Sequence, residues 1–373
     1  MAAERLGDRL SRDMADHGKF PGTYGRLAGL PVEIEAVELR RLTSAFSPTF
    51  ARVTTCVVLS GRGHEGEGED VTPFQAAHDG VVRLAAEPGL RGAFTLAMFA
   101  RRLAELDLYP GVQLPPGFPS TFRGWGFESA ALDLALRQTG VSLGEVLDRR
   151  SQPVRFVNSP LLGGDPVGVI SRRLEIQPGL RFKLDPSPAW SDDVVAKLAA
   201  TGAVDVVDLK GQYPPQAPVA VAAEPRLYAR IARGLSGAWL EDPGLGNGCR
   251  EALEPYLDRV TWDLPVRDPR DIDSLPIPPR AINVKPARLG TLRRLFGTYD
   301  LCDARRLPMY GGGMGEIGPG RAQNQYLASL FHPDAPNDLA PVPYNEAELA
   351  PDLPASPLLV STPETGFTPA WPA

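Results

Sequence analysis

The order of apolar and polar positions changes character near residue 150. Before that point, strand-type and helix-type patterns come in blocks. VEIEAVELRRLT alternates apolar and polar residues as a half-buried strand does, and the β-branched run ARVTTCVVLSG reads as its partner. GRGHEGEGED, residues 61–70, reads as an acidic, glycine-rich loop. Residues 93–106 and 120–139 have helical periodicity, with Ser120 or Thr121 as cap and Gly140 as stop. Strands followed by helices, without alternation, predict an α+β domain over 32–150, entered through a polar, turn-rich segment, 1–31.

From PVRFVNSPLL (153–162) onward, short apolar runs alternate with helical segments. The runs are GLRFKLD, DVVDLKG, GAWLEDP, RVTWDLPV, RAINVKPA and LPMYGGG. Helices between them carry their own punctuation, such as Ser191 before and Gly202 after SDDVVAKLAATG. Such units predict a parallel sheet with crossover helices, and their number favours a closed TIM-like α/β barrel over 151–345. The last stretch, 346–373, is proline-rich and predicts an extended segment packing back on the first domain.

Most of the strand-like runs end in a residue that carries chemistry: Lys183, Asp208, Glu241, Asp263 and Lys285, at intervals of 25, 33, 22 and 22 residues. In a TIM-type barrel the carboxyl ends of the strands form the active-site rim. Three carboxylates there suit Mg²⁺, with Mn²⁺ as a substitute, and leave open positions for a substrate carboxylate. The cation would stabilise charge developing on that carboxylate. Two lysines would move a proton at the neighbouring carbon, once desolvation and a nearby cation lower an ordinary pKa of about 10.4. Taken singly, a strand-end lysine is usually a solvated chain and an aspartate usually a cap. The ordered set of five outweighs that reading.

Composition excludes several other functions. The net charge is −6 and there is no long basic run, which argues against a nucleic-acid partner. No run approaches the ~20 apolar residues of a membrane helix, and residues 1–18 are charged throughout, so a cytosolic location is expected. Three cysteines, Cys56, Cys249 and Cys302, match no disulfide or zinc framework. Four histidines show no ligand spacing, and no GxSxG occurs. Two GxGxxG matches, starting at Gly61 and Gly313, lack the helix or the following βα units of a dinucleotide site.

The chain resembles the enolase superfamily, and most closely its muconate-lactonising subgroup, over roughly 32–345. FESAALDLALRQTGVSLGEVL resembles the helix closing that family's capping domain, RFKLD its K-x-K strand, LEDP its glutamate strand, INVKPARLG its second-lysine strand and GGMGEIG the segment near its last strands. The resemblance implies a modified (β/α)₇β barrel with an N-terminal capping domain. It implies Lys183 and Lys285 as acid/base pair, and Asp208, Glu241 and Asp263 as Mg²⁺ ligands. Arg181 and Glu316 would border the substrate, and residues 44–51 and 61–70 would close over the barrel mouth. The expected reaction is α-proton abstraction from a small carboxylate, leading to cycloisomerisation, dehydration as in o-succinylbenzoate synthesis, or racemisation. A homo-oligomer is compatible with this. The chain departs from the pattern at Arg181, where K-x-K has lysine, and at Lys210, where D-A-N has asparagine. The competing reading is a barrel that binds a metal and a small acid without turning it over.

Overall fold

The computed structural model describes residues 22–47, 50–114, 121–214 and 220–371. The first domain opens with a short helix, Thr23–Ala28, whose Tyr24, Leu27 and Ala28 are buried. Strand β1 (Pro31–Ile34) follows. Strands β2 (Ala36–Ser47), β3 (Phe50–Gly61) and β4 (His64–Asp70) form an antiparallel sheet in that order. β1 pairs instead with β5 (Gly92–Thr95).

The segment expected as an acidic loop, 61–70, is therefore mostly a strand. Its glycines explain the misreading. The helix Thr121–Thr139 lies so close over β4 that a Cβ on Gly66 would stand 2.3 Å from the Leu134 backbone nitrogen, and one on Gly68 2.1 Å from the Gly126 carbonyl oxygen. Glycine here is the condition for helix–sheet contact. That helix is buried on nearly all sides from Phe122 to Leu136, as befits the central element of a domain. The stretch 44–51 is the tip of the β2–β3 hairpin; residues 48–49 of it lie outside the described residues.

The second domain is a ring. Strands β6 (Phe182–Leu184), β7 (Val204–Asp208), β8 (Trp239–Glu241), β9 (Val260–Trp262), β10 (Ala281–Val284) and β11 (Met309–Gly311) pair in parallel in chain order. Two short extended stretches close it. Asn158 bridges Phe182 on β6, Phe156 bridges Asn337, and Asp338 bridges Gly312 just past β11. With the stretches at 156–158 and 337–338, the barrel has eight staves. Ser191 caps the helix Asp192–Ala200 through the Val194 amide, and Gly202 leaves it at φ +62. No helix among the described residues is long and apolar enough to cross a membrane.

The proline-rich end runs back over both domains. Leu358 bridges Val154, and Gly366 bridges Ser142. The Phe367 and Thr368 amides donate to the buried Asp133 carboxylate on the central helix.

One buried acid at the domain junction links stability to pH. Glu128 is fully buried and accepts the Leu292 amide at 2.8 Å. Burial pushes its pKa up to about 7. An acid whose folded pKa exceeds its unfolded one favours folding while protonated, and that advantage is lost as pH rises between the two values. The thermal midpoint should therefore fall between pH 5 and pH 8. Glu128→Gln should flatten that fall, by up to ~3 kcal/mol of stability at pH 8, in paired melts at the two pH values.

Candidate active site at the carboxyl ends of the barrel strands

Strand register sets the geometry. Asp208 ends β7 and Glu241 ends β8, and the two are direct register partners. Asp263 follows β9, and Lys285 follows β10. Lys183 lies inside β6. In the eight-stave ring β6 and β10 are diametrically opposed, so the two lysines enter from opposite walls. All five side chains are buried.

The three acids are drawn into two buried sets of ion pairs. Lys183 Nζ lies 2.6 Å from Glu241 Oε1, 3.2 Å from Asp208 Oδ2 and 3.5 Å from Asp338 Oδ2. The Tyr310 hydroxyl donates to Glu241 Oε2 at 2.6 Å. Across the cleft, Lys285 Nζ is 2.8 Å from Asp263 Oδ2, and Arg288 pairs with Asp263 Oδ1. Lys210 holds Asp208 twice, by its amide on Oδ1 at 3.1 Å and by its ammonium on Oδ2 at 2.6 Å.

Burial and charge set the protonation states. Burial opposes ionisation of Asp208, but Lys210 and Lys183 prevail and hold it far below the usual carboxylate range. Asp263 is likewise held down by Arg288 and Lys285 against burial. Glu241 goes the other way. Burial pushes it up to about 8, with Asp208 and Asp263 adding to the push and Lys183 opposing it. Burial would strip Lys183 of its proton, yet Glu241, Asp208 and Asp338 outweigh it and raise its pKa well above the ordinary value.

The donor set suits a hard divalent cation. The three carboxylates stand at neighbouring strand ends, and Asp208 and Asp263 both push the Glu241 pKa up, a crowding of negative charge of the kind a cation relieves. Among the described residues, however, no three acidic, histidine or cysteine side chains form a ready-made cage. An ammonium or a guanidinium stands against each of the three acids.

Of the two expected substrate residues, one turns away from the cluster and the other sits in a loop beside it. Arg181 does not join the cluster. Its guanidinium pairs with Asp205, near the start of β7, and reaches the Gly202 carbonyl. It precedes Phe182 and faces the entry end of the next strand, so a charge-conserving swap at this position does not keep a cation beside Lys183. Glu316 is buried in the glycine loop after β11, with Oε1 on the Met314 amide and Oε2 3.8 Å from Arg321. It contacts its own loop and not the lysines. The capping domain holds that loop in place: Arg52 donates to the Gly315 and Met314 carbonyls. Glu69 accepts the Ile317, Gly318 and Gly320 amides.

Sequence reading missed Tyr310, Asp338, Arg288 and Asp242. Arg288 had a readable signal, since it stands one helical turn beyond Lys285. Asp242 had none. Its two oxygens accept the Asp263 and Leu264 amides at 2.9 and 2.8 Å, and so aim the third acid.

Comparison with known proteins agrees with this architecture. Residues 25–146 match the N-terminal domain, and residues 150–346 the C-terminal domain, of a family described only as a domain of unknown function, DUF8230. An N-succinylamino acid racemase from Amycolatopsis sp. is 42% identical over 345 residues, 82% of this chain and 86% of the relative. The chain belongs to the enolase superfamily. Its place there is the muconate-lactonising subgroup. An N-succinylamino acid racemase from Thermus thermophilus is 27% identical over 349 residues, 83% of this chain and 86% of the relative. The crystal structure of muconate cycloisomerase from Pseudomonas fluorescens has the same fold, with a TM-score of 0.62 at 19% identity, covering 91% of this chain and 95% of the other. The cap and the closed ring are the parts of this architecture that the structural likeness shares.

Asp242 sits at φ +48, a region that asparagine and aspartate tolerate better than alanine. Asp242→Ala should cost about 2–4 kcal/mol, from two unmet amides and a left-handed alanine. Asp242→Asn, which keeps one acceptor, should cost less than half of that. Urea unfolding of the two variants distinguishes these values.

Proposed function

We propose that this enolase-superfamily member is a Mg²⁺-dependent enzyme that abstracts the α-proton of a small carboxylate, with racemisation of an N-acylamino acid as its reaction. The observation that carries the reading is the placement of two buried lysines on opposed staves, β6 and β10, each beside a different acid. A planar intermediate held between them is reachable from both faces. The racemase relatives, similar over more than four-fifths of the chain, support the choice of reaction.

Lys285 takes the α-proton from one face, and the electron pair of the broken C–H bond passes into the carboxylate as an enolate. Lys183, as the ammonium, returns a proton to the opposite face. For the other enantiomer the two lysines would exchange roles, which requires Lys183 to be released from Glu241, Asp208 and Asp338, the acids that hold its proton. Asp208, Glu241 and Asp263 are the residues that would hold a divalent cation, which would supply Lewis-acid stabilisation of the developing negative charge. Asp242 keeps Asp263 aimed, and Tyr310 fixes the far oxygen of Glu241. Arg52 and Glu69 hold the glycine loop that borders the cleft and so help to keep water out.

A panel of N-succinylamino acids, incubated with the protein and Mg²⁺ in D₂O, should gain deuterium at the α-carbon and lose optical purity. Lys183→Ala and Lys285→Ala should each reduce turnover by about 10³-fold or more. Exchange without racemisation would leave the enolate step and redirect the outcome to dehydration or cycloisomerisation. No exchange with any carboxylate of the panel would favour the binding-only barrel.

A further inference from the structure

Lys210, like Arg288, is a cation of the cluster with no part in the proton transfer proposed above. It stands two residues beyond Asp208, in a turn where its own φ is +53. That turn folds the residue back on its neighbour, so that its amide and its ammonium grip the two oxygens of Asp208. Its side chain is 14% exposed and has a second anion in reach: Asp185, half exposed, at 3.4 Å. The Tyr213 ring lies 5.7 Å from the same ammonium. Lys210 thus lies between an inner acid, Asp208, and an outer acid at the rim.

We propose that Lys210 is a tethered counter-ion that competes with a divalent metal for Asp208, and that metal entry requires its ammonium to move out to Asp185 and Tyr213. This rests on the reading that Asp208, Glu241 and Asp263 hold the metal. The argument is electrostatic. An ammonium at hydrogen-bond distance from a ligand oxygen repels an incoming dication in a buried, weakly screened site. Because Lys210 is tethered two residues from its partner, dilution does not remove it. Its departure from Asp208 is part of every metal-binding event.

Lys210→Asn tests this without threatening the fold, since asparagine favours the left-handed region that the turn requires. Lys210→Gln is a second neutral variant, and Lys210→Arg keeps the charge. The measurement is calorimetric titration of each full-length protein with MgCl₂ at fixed ionic strength, without substrate. Both neutral variants should bind Mg²⁺ about tenfold or more tightly than the unmodified protein, and Lys210→Arg should stay within about threefold of it. Binding by the neutral variants alone would be the strongest form of the same result. Equal affinities in all four proteins would overturn the role of Lys210 and leave the metal reading standing. Weaker binding by the neutral variants would also overturn it, by showing that Lys210 builds the site. No binding by any of the four at millimolar Mg²⁺ would sink both Lys210 competition and the metal reading.

Discussion

The barrel mouth is governed by the cost of burying charge. Asp208, Glu241 and Asp263 lie out of water, and a bare carboxylate there is expensive. Lys183, Lys210, Lys285 and Arg288 meet that cost from inside the chain. Such networks are weak sources of stability, yet breaking one partner is costly. Each of these residues is therefore tied to the others before any substrate arrives. The chemistry proposed here depends on the same charges that keep the mouth folded. On the proposed reading, a metal or a substrate acid would enter by exchange, replacing an internal partner.

The second constraint joins the domains. Arg52 from β3 and Glu69 from β4 grip the glycine loop after β11 by its backbone. Backbone grips depend little on side-chain identity in the loop. They do depend on close approach: a Cβ on Gly318 would fall 2.4 Å from a Leu42 methyl carbon, and one on Gly320 2.9 Å from Glu69 Oε2. The loop's glycines, which match a GxGxxG pattern in the sequence, have a packing reason.

Much of the site was legible because buried parallel strands are short apolar runs, and a charged residue at the end of such a run has few places to go but the rim. Lys183, Asp208, Glu241, Asp263 and Lys285 all carried that signal. Arg181, which only the resemblance placed beside the substrate, stands before β6, and its side chain pairs with Asp205 near the start of β7. The destination of Lys210 was open in the sequence, since it depends on a single backbone angle. The glycine-rich strand β4 was illegible for a different reason. Its pattern has meaning only beneath the helix Thr121–Thr139, a partner more than fifty residues away. Tyr310 looked like one more core aromatic, and only the fold turns its hydroxyl toward Glu241.

The carboxylate of Asp133 receives the amides of residues 367 and 368, separated from it by 234 and 235 positions. A ribosome delivers those amides only after the whole barrel. Until they arrive, the buried acid at the heart of the first lobe lacks two of its donors, while the barrel between has already been made. Completion of the first lobe therefore waits until the barrel has been synthesised, with a late stitch placed in the part of the chain that was translated early.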